Sequence, residues 1–296
     1  MQSATLQTTI IMQIPIESFN LQMLNVGFAH HDGDWNWQEV SSPFTRIYCV
    51  TQGEAYLHMN GGVIDLVPGR LYMIPAYVVH SYECHGPFGH YYLHVYEGFK
   101  NQVDLFEHYN FPIEVVAEEI DATLFRIMCE EHPEAKLPES DPKSYDNTTT
   151  FVDYVKRYNN MSLWQKMRLR SAILKLMSNF LKEATLKPWT LSERMMKVLS
   201  YINANIHKTI TMDQLADVAC ISTPYLIRLF RSNFGTSPLQ YINKKKIERA
   251  QLMLITEDLP CKEIAYKLGF NDASYFIRLF KKTTGQTPQE YRAYRL

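Results

Sequence analysis

The stretch Tyr225-Leu-Ile-Arg-Leu-Phe-Arg231 returns as Tyr275-Phe-Ile-Arg-Leu-Phe-Lys281, and Gly235, Pro238 and Tyr241 return as Gly285, Pro288 and Tyr291, each fifty residues on. Upstream, Leu215-Ala216 and Cys220 correspond to Ile264-Ala265 and Gly269 at an offset of forty-nine, so the second copy carries one extra residue at its turn. One motif is used twice. Each copy reads as a helix with a small alanine near its middle, a short turn, and a second helix opening at a polar cap, Ser222 or Asp272. That is the grammar of a helix-turn-helix, in which the alanine lets the crossing helix approach closely.

The second helix of each copy sorts its residues by face. Leu226, Leu229, Phe230 and Phe234 form a core stripe, while Thr223, Pro224, Ile227, Arg228 and Arg231 open or share the opposite side. In the second copy Phe276, Leu279 and Phe280 oppose Ser274, Ile277, Arg278 and Lys281. A stripe ending in two cations suits the major groove of double-stranded DNA, where arginine forks onto guanine O6 and N7 and an isoleucine tip meets a thymine methyl. The plainer alternative is an amphipathic helix with a solvated basic face. Each unit is expected to close its own core.

Thr190-Leu-Ser-Glu193, Thr211-Met-Asp-Gln214, Ser237-Pro-Leu-Gln240 and Thr287-Pro-Gln-Glu290 fit the capping box and mark four helix starts. Between the copies, Pro238 to Thr256 predicts one helix, roughly 28 Å long at 1.5 Å per residue. It is a rigid spacer suited to two units set roughly 34 Å apart along one face of B-DNA. Its cations Lys244, Lys245, Lys246 and Arg249 read as a solvated face or as phosphate contacts.

The formal net charge of −1 conceals a division. From Thr190 onward sixteen Lys and Arg stand against nine Asp and Glu; before it, fourteen stand against twenty-two. A basic module that binds a polyanion is joined to an acidic one with another task. Composition is ordinary for a soluble chain, 46% apolar and 21% charged. No apolar run approaches the roughly 18 residues of a spanning helix. With neither a basic leader nor a cleavage site, a cytoplasmic protein without membrane association is expected. Five widely spaced cysteines without a Cys-x-x-Cys pair read as reduced thiols.

The first hundred residues alternate in short runs rich in Tyr, Val and Ile, which predicts strands. Thr45 to Met59 is a run broken at Gln52-Gly53; Asn60-Gly61-Gly62 supplies a hairpin turn before Val63 to Val67, and Pro68-Gly69 makes the next. Leu71 to Ile74, Val78 to Tyr82 and Tyr91 to Tyr96 follow, spaced for a sandwich or small barrel. Beyond Lys100, Gln102 to Tyr109 and Ile120 to Glu131 predict helices, and the polar, proline-rich Pro133 to Thr150 an exposed loop. Two more helices follow. On the second, Leu163, Met167, Arg170, Leu174, Met177 and Leu181 recur at spacings of three and four. That stripe either packs within its own domain or pairs with its mate in a homodimer, through Leu163, Met167, Leu174 and Leu181. The fold class is thus multidomain: an all-β barrel over residues 1–100, a helical extension over 101–187, and an all-α double helix-turn-helix over 190–296.

Residues 190–296 resemble the DNA-binding domain of the AraC/XylS family of bacterial transcription regulators. The resemblance rests on Ile264-Ala265-Tyr-Lys-Leu-Gly269-Phe270-Asn-Asp-Ala-Ser-Tyr-Phe276-Ile-Arg-Leu-Phe280, then Gly285-Gln-Thr-Pro288-Gln-Glu-Tyr291. Cys220 departs from the glycine frequent at the first copy's turn, where a small thiol should be tolerated. Pro68-Gly69-Arg-Leu-Tyr-Met-Ile74-Pro75-Ala-Tyr-Val-Val-His80 is similar to the cupin-like sensor domain that accompanies this unit. Metal cupins bring His-x-His, a Glu and a later His together; Arg46 to Gly53 has none of these, so no metal, cofactor or catalytic residue is expected.

A small polar ligand is expected instead. Trp35, Trp37, Tyr82, Tyr92 and His94 offer aromatic faces and hydrogen-bonding tips, and Arg46 and His80 add donors on strands that could line a barrel mouth. Tyr92 and His94 lie two apart and face one side. By the resemblance, Tyr82, Tyr92 and His94 match positions that contact sugar in a sugar-sensing member. The plainer reading is that these rings fill the core. The function expected is a ligand-responsive, DNA-binding regulator sensing a sugar, dimeric, contacting RNA polymerase if it activates. A ligand-independent regulator whose barrel binds a protein partner, or a cupin-type metal enzyme, is the alternative.

Overall fold

The computed structural model describes Ile16, Phe19 and residues 21–97, 105–145, 148–187 and 192–294. Eight strands come first: β1 (Leu21–Asp32), β2 (Trp37–Val40), β3 (Thr45–Gly53), β4 (Ala55–Met59), β5 (Gly62–Leu66), β6 (Arg70–Ile74), β7 (His80–Glu83) and β8 (Pro87–Glu97). Then follow α1 (Leu105–His108), β9 (Tyr109–Asn110), β10 (Glu114–Val116), α2 (Glu119–Glu131), α3 (Pro142–Tyr145), α4 (Thr148–Asn160), α5 (Leu163–Glu183) and β11 (Thr185–Leu186). Two antiparallel sheets face each other, in the orders β1-β8-β3-β6-β10 and β2-β7-β4-β5. The β4–β5 hairpin turns through Asn60 and Gly61, both at positive φ, the conformation its sequence predicts.

Strand β3 shows why the barrel and the following helices form one body. Ile47 and Cys49 point outward and pack with Leu93, Val95, Phe125, Ile173, Leu176 and Phe180, so α2 and α5 cover the five-stranded sheet. Tyr48 and Val50 point inward, toward Leu57, Tyr72, Ile74 and Tyr82 of the barrel interior. A strand buried on both faces reads as a continuous apolar run, and the period of two decides which neighbour each side chain meets. Asp121, fully buried, ties α2 to α5 by accepting from Asn179 Nδ2 at 2.8 Å and from the Glu118 N–H at 2.7 Å.

Several boundaries differ from expectation. Strand β7 starts at His80 rather than Val78, because the Val78 carbonyl turns aside to accept from His80 Nδ1. The helix expected to reach Tyr109 stops at His108, and Tyr109 pairs with Leu186; residues 102–104 lie outside the described ones. The segment from Pro133 is no exposed loop. It makes a single turn of 3-10 helix (Pro133–Ala135), then α3, and buries Ala135 and Tyr145. On α5 the buried stripe is Leu169, Ala172, Ile173, Leu176, Met177 and Phe180, which shares only Met177 with the one expected. Leu163 and Met167 are 75% and 64% exposed, and Leu174 and Leu181 are half-buried at the margin. The sheet takes the stripe in which small Ala172 sits among Leu169, Ile173, Leu176 and Phe180.

The remainder is helical: α6 (Glu193–Asn205), α7 (Met212–Ala219), α8 (Thr223–Phe234), α9 (Pro238–Thr256), α10 (Cys261–Lys267), α11 (Ala273–Thr284) and α12 (Pro288–Tyr294). The pairs α7–α8 and α10–α11 are the two helix-turn-helix units. Capping boxes close at Thr211 with Gln214, Ser237 with Gln240 and Thr287 with Glu290. Thr190 lies outside the described residues, and Ser192 caps α6. The first unit closes its own core around Val198, Leu215, Leu226 and Phe230. The second does not: Ile264, Phe276 and Phe280 share one cluster with Phe44, Tyr96, Tyr145 and Tyr154 of the N-terminal half. Helix α9 is therefore an inner helix rather than a spacer in water, and its cations form no single face, since Lys246 is buried and Lys244 exposed.

Leu176→Ala should lower stability by about 2–5 kcal/mol, since it empties a fully buried site. Leu163→Ala should change it by no more than about 0.5 kcal/mol. Urea unfolding of the full chain followed by circular dichroism measures both.

Candidate functional site

Two surfaces carry the chemistry. The first is the outer face of α8 and α11. Pro224, Arg228 and Arg231 are exposed, as are Ser274, Ile277, Arg278 and Lys281, while Ile227 is half-buried. Leu226, Phe230, Phe276 and Phe280 are buried beneath them, which is the sorting that the periodicity predicts. Thr223 sits at the start of α8 and donates its hydroxyl to Asp213 Oδ1 at 3.0 Å, so its side chain braces α7. The Arg228 guanidinium rests 5.2 Å above the ring of Tyr225. Tyr225 and its equivalent Tyr275 are partly exposed beside the two basic stripes, and sequence reasoning passed over both. An aromatic at the same place in each copy was the signal available.

The second is a cavity of about 250 Å³ at one mouth of the barrel. Its wall is built from alternate residues of two paired strands: Tyr48 on β3, and His90, Tyr92 and His94 on β8, where Tyr48 pairs with Tyr92 and Arg46 with His94. His31, Asp34 and Trp35 complete one side, and Leu137 to Ser140 with Tyr145 close the other. The segment read as a solvent loop is thus a lid. It is pinned where the Leu137 N–H donates to the Tyr92 hydroxyl at 2.8 Å. Gly27 makes room for this contact, because a Cβ there would lie 2.2 Å from the Tyr92 hydroxyl oxygen.

Of the expected ligand residues, Trp35, Tyr92 and His94 line the cavity; Trp37, Arg46, His80 and Tyr82 do not. Trp35 is buried with its ring stacked 4.0 Å from Tyr82, so one of its faces is already covered. Tyr82 and His80 stand behind the wall in a relay whose direction is fixed. The Val78 carbonyl can only accept, so His80 Nδ1 carries the proton and Nε2 accepts from the Tyr82 hydroxyl at 2.8 Å. The Tyr82 oxygen then accepts from the Tyr48 hydroxyl at 2.6 Å, which leaves the Tyr48 oxygen able to accept at the wall. Arg46 is buried below, donating to Ser42 Oγ at 2.7 Å and lying 4.6 Å over Phe44. Sequence reasoning missed His31, Tyr48, His90 and the lid; the alternation His90, Tyr92, His94 would have found the second histidine.

Four histidines face the barrel interior. Burial holds His31, His80, His90 and His94 below the ordinary imidazole value, with Arg46 adding to the effect on His80, which falls to about 3, and on His94. Three buried ring nitrogens of cavity-lining histidines, His31 Nε2, His90 Nδ1 and His94 Nδ1, have no hydrogen-bond partner among the described residues. Such atoms are costly to bury and point to a polar guest. Among the described residues no group of three or more His, Cys, Asp or Glu is placed to hold a metal ion, and no helix is long and apolar enough to cross a membrane.

Comparison with known proteins follows this division. Residues 26–100 match the family described as AraC-like ligand binding domain, and residues 215–294 the one described as Helix-turn-helix domain. The uncharacterized HTH-type transcriptional regulator YijO of Escherichia coli is 36% identical over 95 residues, 32% of this chain and 34% of that protein. The arabinose operon regulatory protein of E. coli is 33% identical over 104 residues, 35% of this chain and 36% of its own length. The chain thus matches about a third of the length of these curated relatives. ToxT of Vibrio cholerae is similar along 93% of this chain and 98% of its own, at 15% identity and a TM-score of 0.45. With a match to the AraC-like ligand binding domain in its first half and the duplicated helix-turn-helix in its last third, the chain is similar in both parts to the AraC/XylS family of transcriptional regulators.

Proposed function

We propose that this protein is a cytoplasmic, non-catalytic regulator of transcription that binds double-stranded DNA sequence-specifically through Thr223, Pro224, Ile227, Arg228 and Arg231 of α8 and Ser274, Ile277, Arg278 and Lys281 of α11. Its occupancy responds to a small neutral polyhydroxylated molecule, a sugar, held in the barrel cavity. The observation that carries this reading is the set of unpartnered nitrogens on His31, His90 and His94 beneath a lid. Imidazole nitrogens and tyrosine hydroxyls answer the hydroxyls of a sugar, which cannot be buried unpaired. Tyr145 supplies the link to DNA: its ring lies 5.5 Å from that of His94, and it shares a cluster with Tyr154 of α4 and Ile247 and Ala250 of α9. A ligand that binds one setting of the lid more tightly shifts the equilibrium of the DNA-binding units by that difference. The exposed Leu163 and Met167, with Leu174 and Leu181 at the margin, form the contact between two copies, and RNA polymerase is the further partner if the protein activates.

Calorimetry of the full chain against a panel of sugars should find one that binds, and His94→Ala should weaken it by tenfold or more, about 1.4 kcal/mol. A panel without a binder favours the reading in which the barrel takes a protein partner. Because burial holds His90 and His94 well below the ordinary imidazole value, affinity should be flat between about pH 6 and 8. Folding stability should behave differently. The unfolded chain takes up protons on these histidines as pH falls through about 6.5 while the folded chain does not, so stability present above that pH is lost below it, at up to ~1.4 kcal/mol per pH unit for each histidine. Thermal midpoints across pH measure this.

Arg228→Ala and Arg278→Ala should each relax preference at a different base position by about 1–3 kcal/mol, in binding that weakens steeply with salt. Equal weakening on every sequence would assign both to phosphate. Met167→Asp should shift sedimentation toward the monomer with the fold unchanged; an unchanged oligomeric state would remove the dimer contact from α5.

A further inference from the structure

Helix α9 serves two cores in turn. Tyr241 and Ile242 belong to the first helix-turn-helix unit, Ile247 and Ala250 to the second. Lys246 falls at the seam between them, and it is 4% exposed. Its ammonium donates to the carbonyl of Lys208, in the loop before α7, at 2.8 Å, and to the carbonyl of Gly269, in the turn of the second unit, at 3.2 Å. It also lies 5.0 Å over the ring of Phe270. The two units touch directly at this point. A Cβ on Gly269, which has φ of +66°, would stand 2.3 Å from the Lys208 carbonyl carbon, so the backbones approach as closely as glycine permits. Thr209 Oγ1 reaches across to the Gly269 carbonyl and to Asn271 Oδ1, each at 3.2 Å.

We propose that Lys246 is a positioning residue for DNA recognition: its buried ammonium clasps one carbonyl from each unit and thereby fixes the distance and rotation between α8 and α11. This rests on the reading of those helices as the DNA-contacting pair. A rigid helix sets the separation of its two ends, but each unit could still rock on its own half of α9. Contact across the seam removes that freedom. An apolar residue at 246 would remove the ammonium from both carbonyls, leaving the Gly269 carbonyl with Thr209 alone, a loss felt as loosening of the seam. Burial pushes the Lys246 ammonium down to about 8, so the charge is kept here against its desolvation, as expected where a buried ion specifies an arrangement.

The test uses the full chain with Cys129, Cys220 and Cys261 changed to serine and spin labels at Ser232→Cys and Lys282→Cys, equivalent exposed positions on α8 and α11. The labelled parent should give one narrow distance distribution and Lys246→Met a broad one. In selection from duplexes whose two randomised boxes are separated by variable spacers, the parent should prefer one spacing by on the order of tenfold, and Lys246→Met should lose that preference. A narrow parent-like distance in Lys246→Met, or an unaltered spacing preference despite a broad distance, overturns the proposal. Should Lys246→Met fail to fold, Thr209→Val removes the neighbouring seam contacts; it should broaden the distance and soften the preference, and a parent-like result for it overturns the proposal equally. A parent that selects no sequence counts against the regulatory reading, and the distance measurement still decides the clasp.

Discussion

Helix α9 is held by two cores at once. Its first turns complete the core of one helix-turn-helix unit, its later turns complete the other, and the second of these cores runs on into Phe44, Tyr96 and Tyr154 beside the barrel. The Tyr77 hydroxyl of the barrel also donates to the carbonyl of Glu248 on α9 at 2.7 Å, from a backbone held at positive φ. A helix shared in this way cannot be shifted for one neighbour alone. Whatever moves the barrel side of the contact is felt by the second DNA-contacting helix before the first, because only the second unit lacks a core of its own.

The barrel has the complementary property. Its interior carries four imidazoles and a guanidinium; Asp34 lies 3.2 Å from His31, and behind the wall stands a relay of two tyrosine hydroxyls, His80 and one backbone carbonyl, with Arg46 on a serine. The fixed tautomer of His80 sets part of the pocket's hydrogen-bonding sense in advance: Tyr48 can accept at the wall because its own hydroxyl proton is already donated to Tyr82. Selectivity of that kind depends on the pattern of hydroxyls presented by the guest rather than on its charge.

The last third was legible because each local signal repeats. Two copies of Ile-Arg-Leu-Phe and three closed capping boxes constrain one another, so an error in one copy would have shown in the other. The barrel was legible as strands from its alternation, and the position of the hairpin from Asn60-Gly61. What escaped were features decided by tertiary packing. On α5 two apolar stripes coexist, and nothing local says that the sheet takes the one with Ala172 and Phe180. The lid escaped because prolines and polar residues dominate Pro133 to Thr150, while its placement depends on Ala135, Leu137 and Tyr145, too few to show a period. Arg46 and His80 were read as pocket donors from strand position, and Tyr82 from the resemblance as well. The structure sets them behind the wall, where they orient Tyr48 instead.

The two turns of the duplicated motif differ in how far they are open to change. Cys220 occupies the left-handed region at φ of 52° with its side chain in solvent, so many residues could stand there for a modest backbone strain. Gly269 occupies the same region with the first unit's backbone against it. Two copies of one motif are therefore not free to vary alike: the first turn can take other side chains, while the second is held to glycine by the backbone of the first unit.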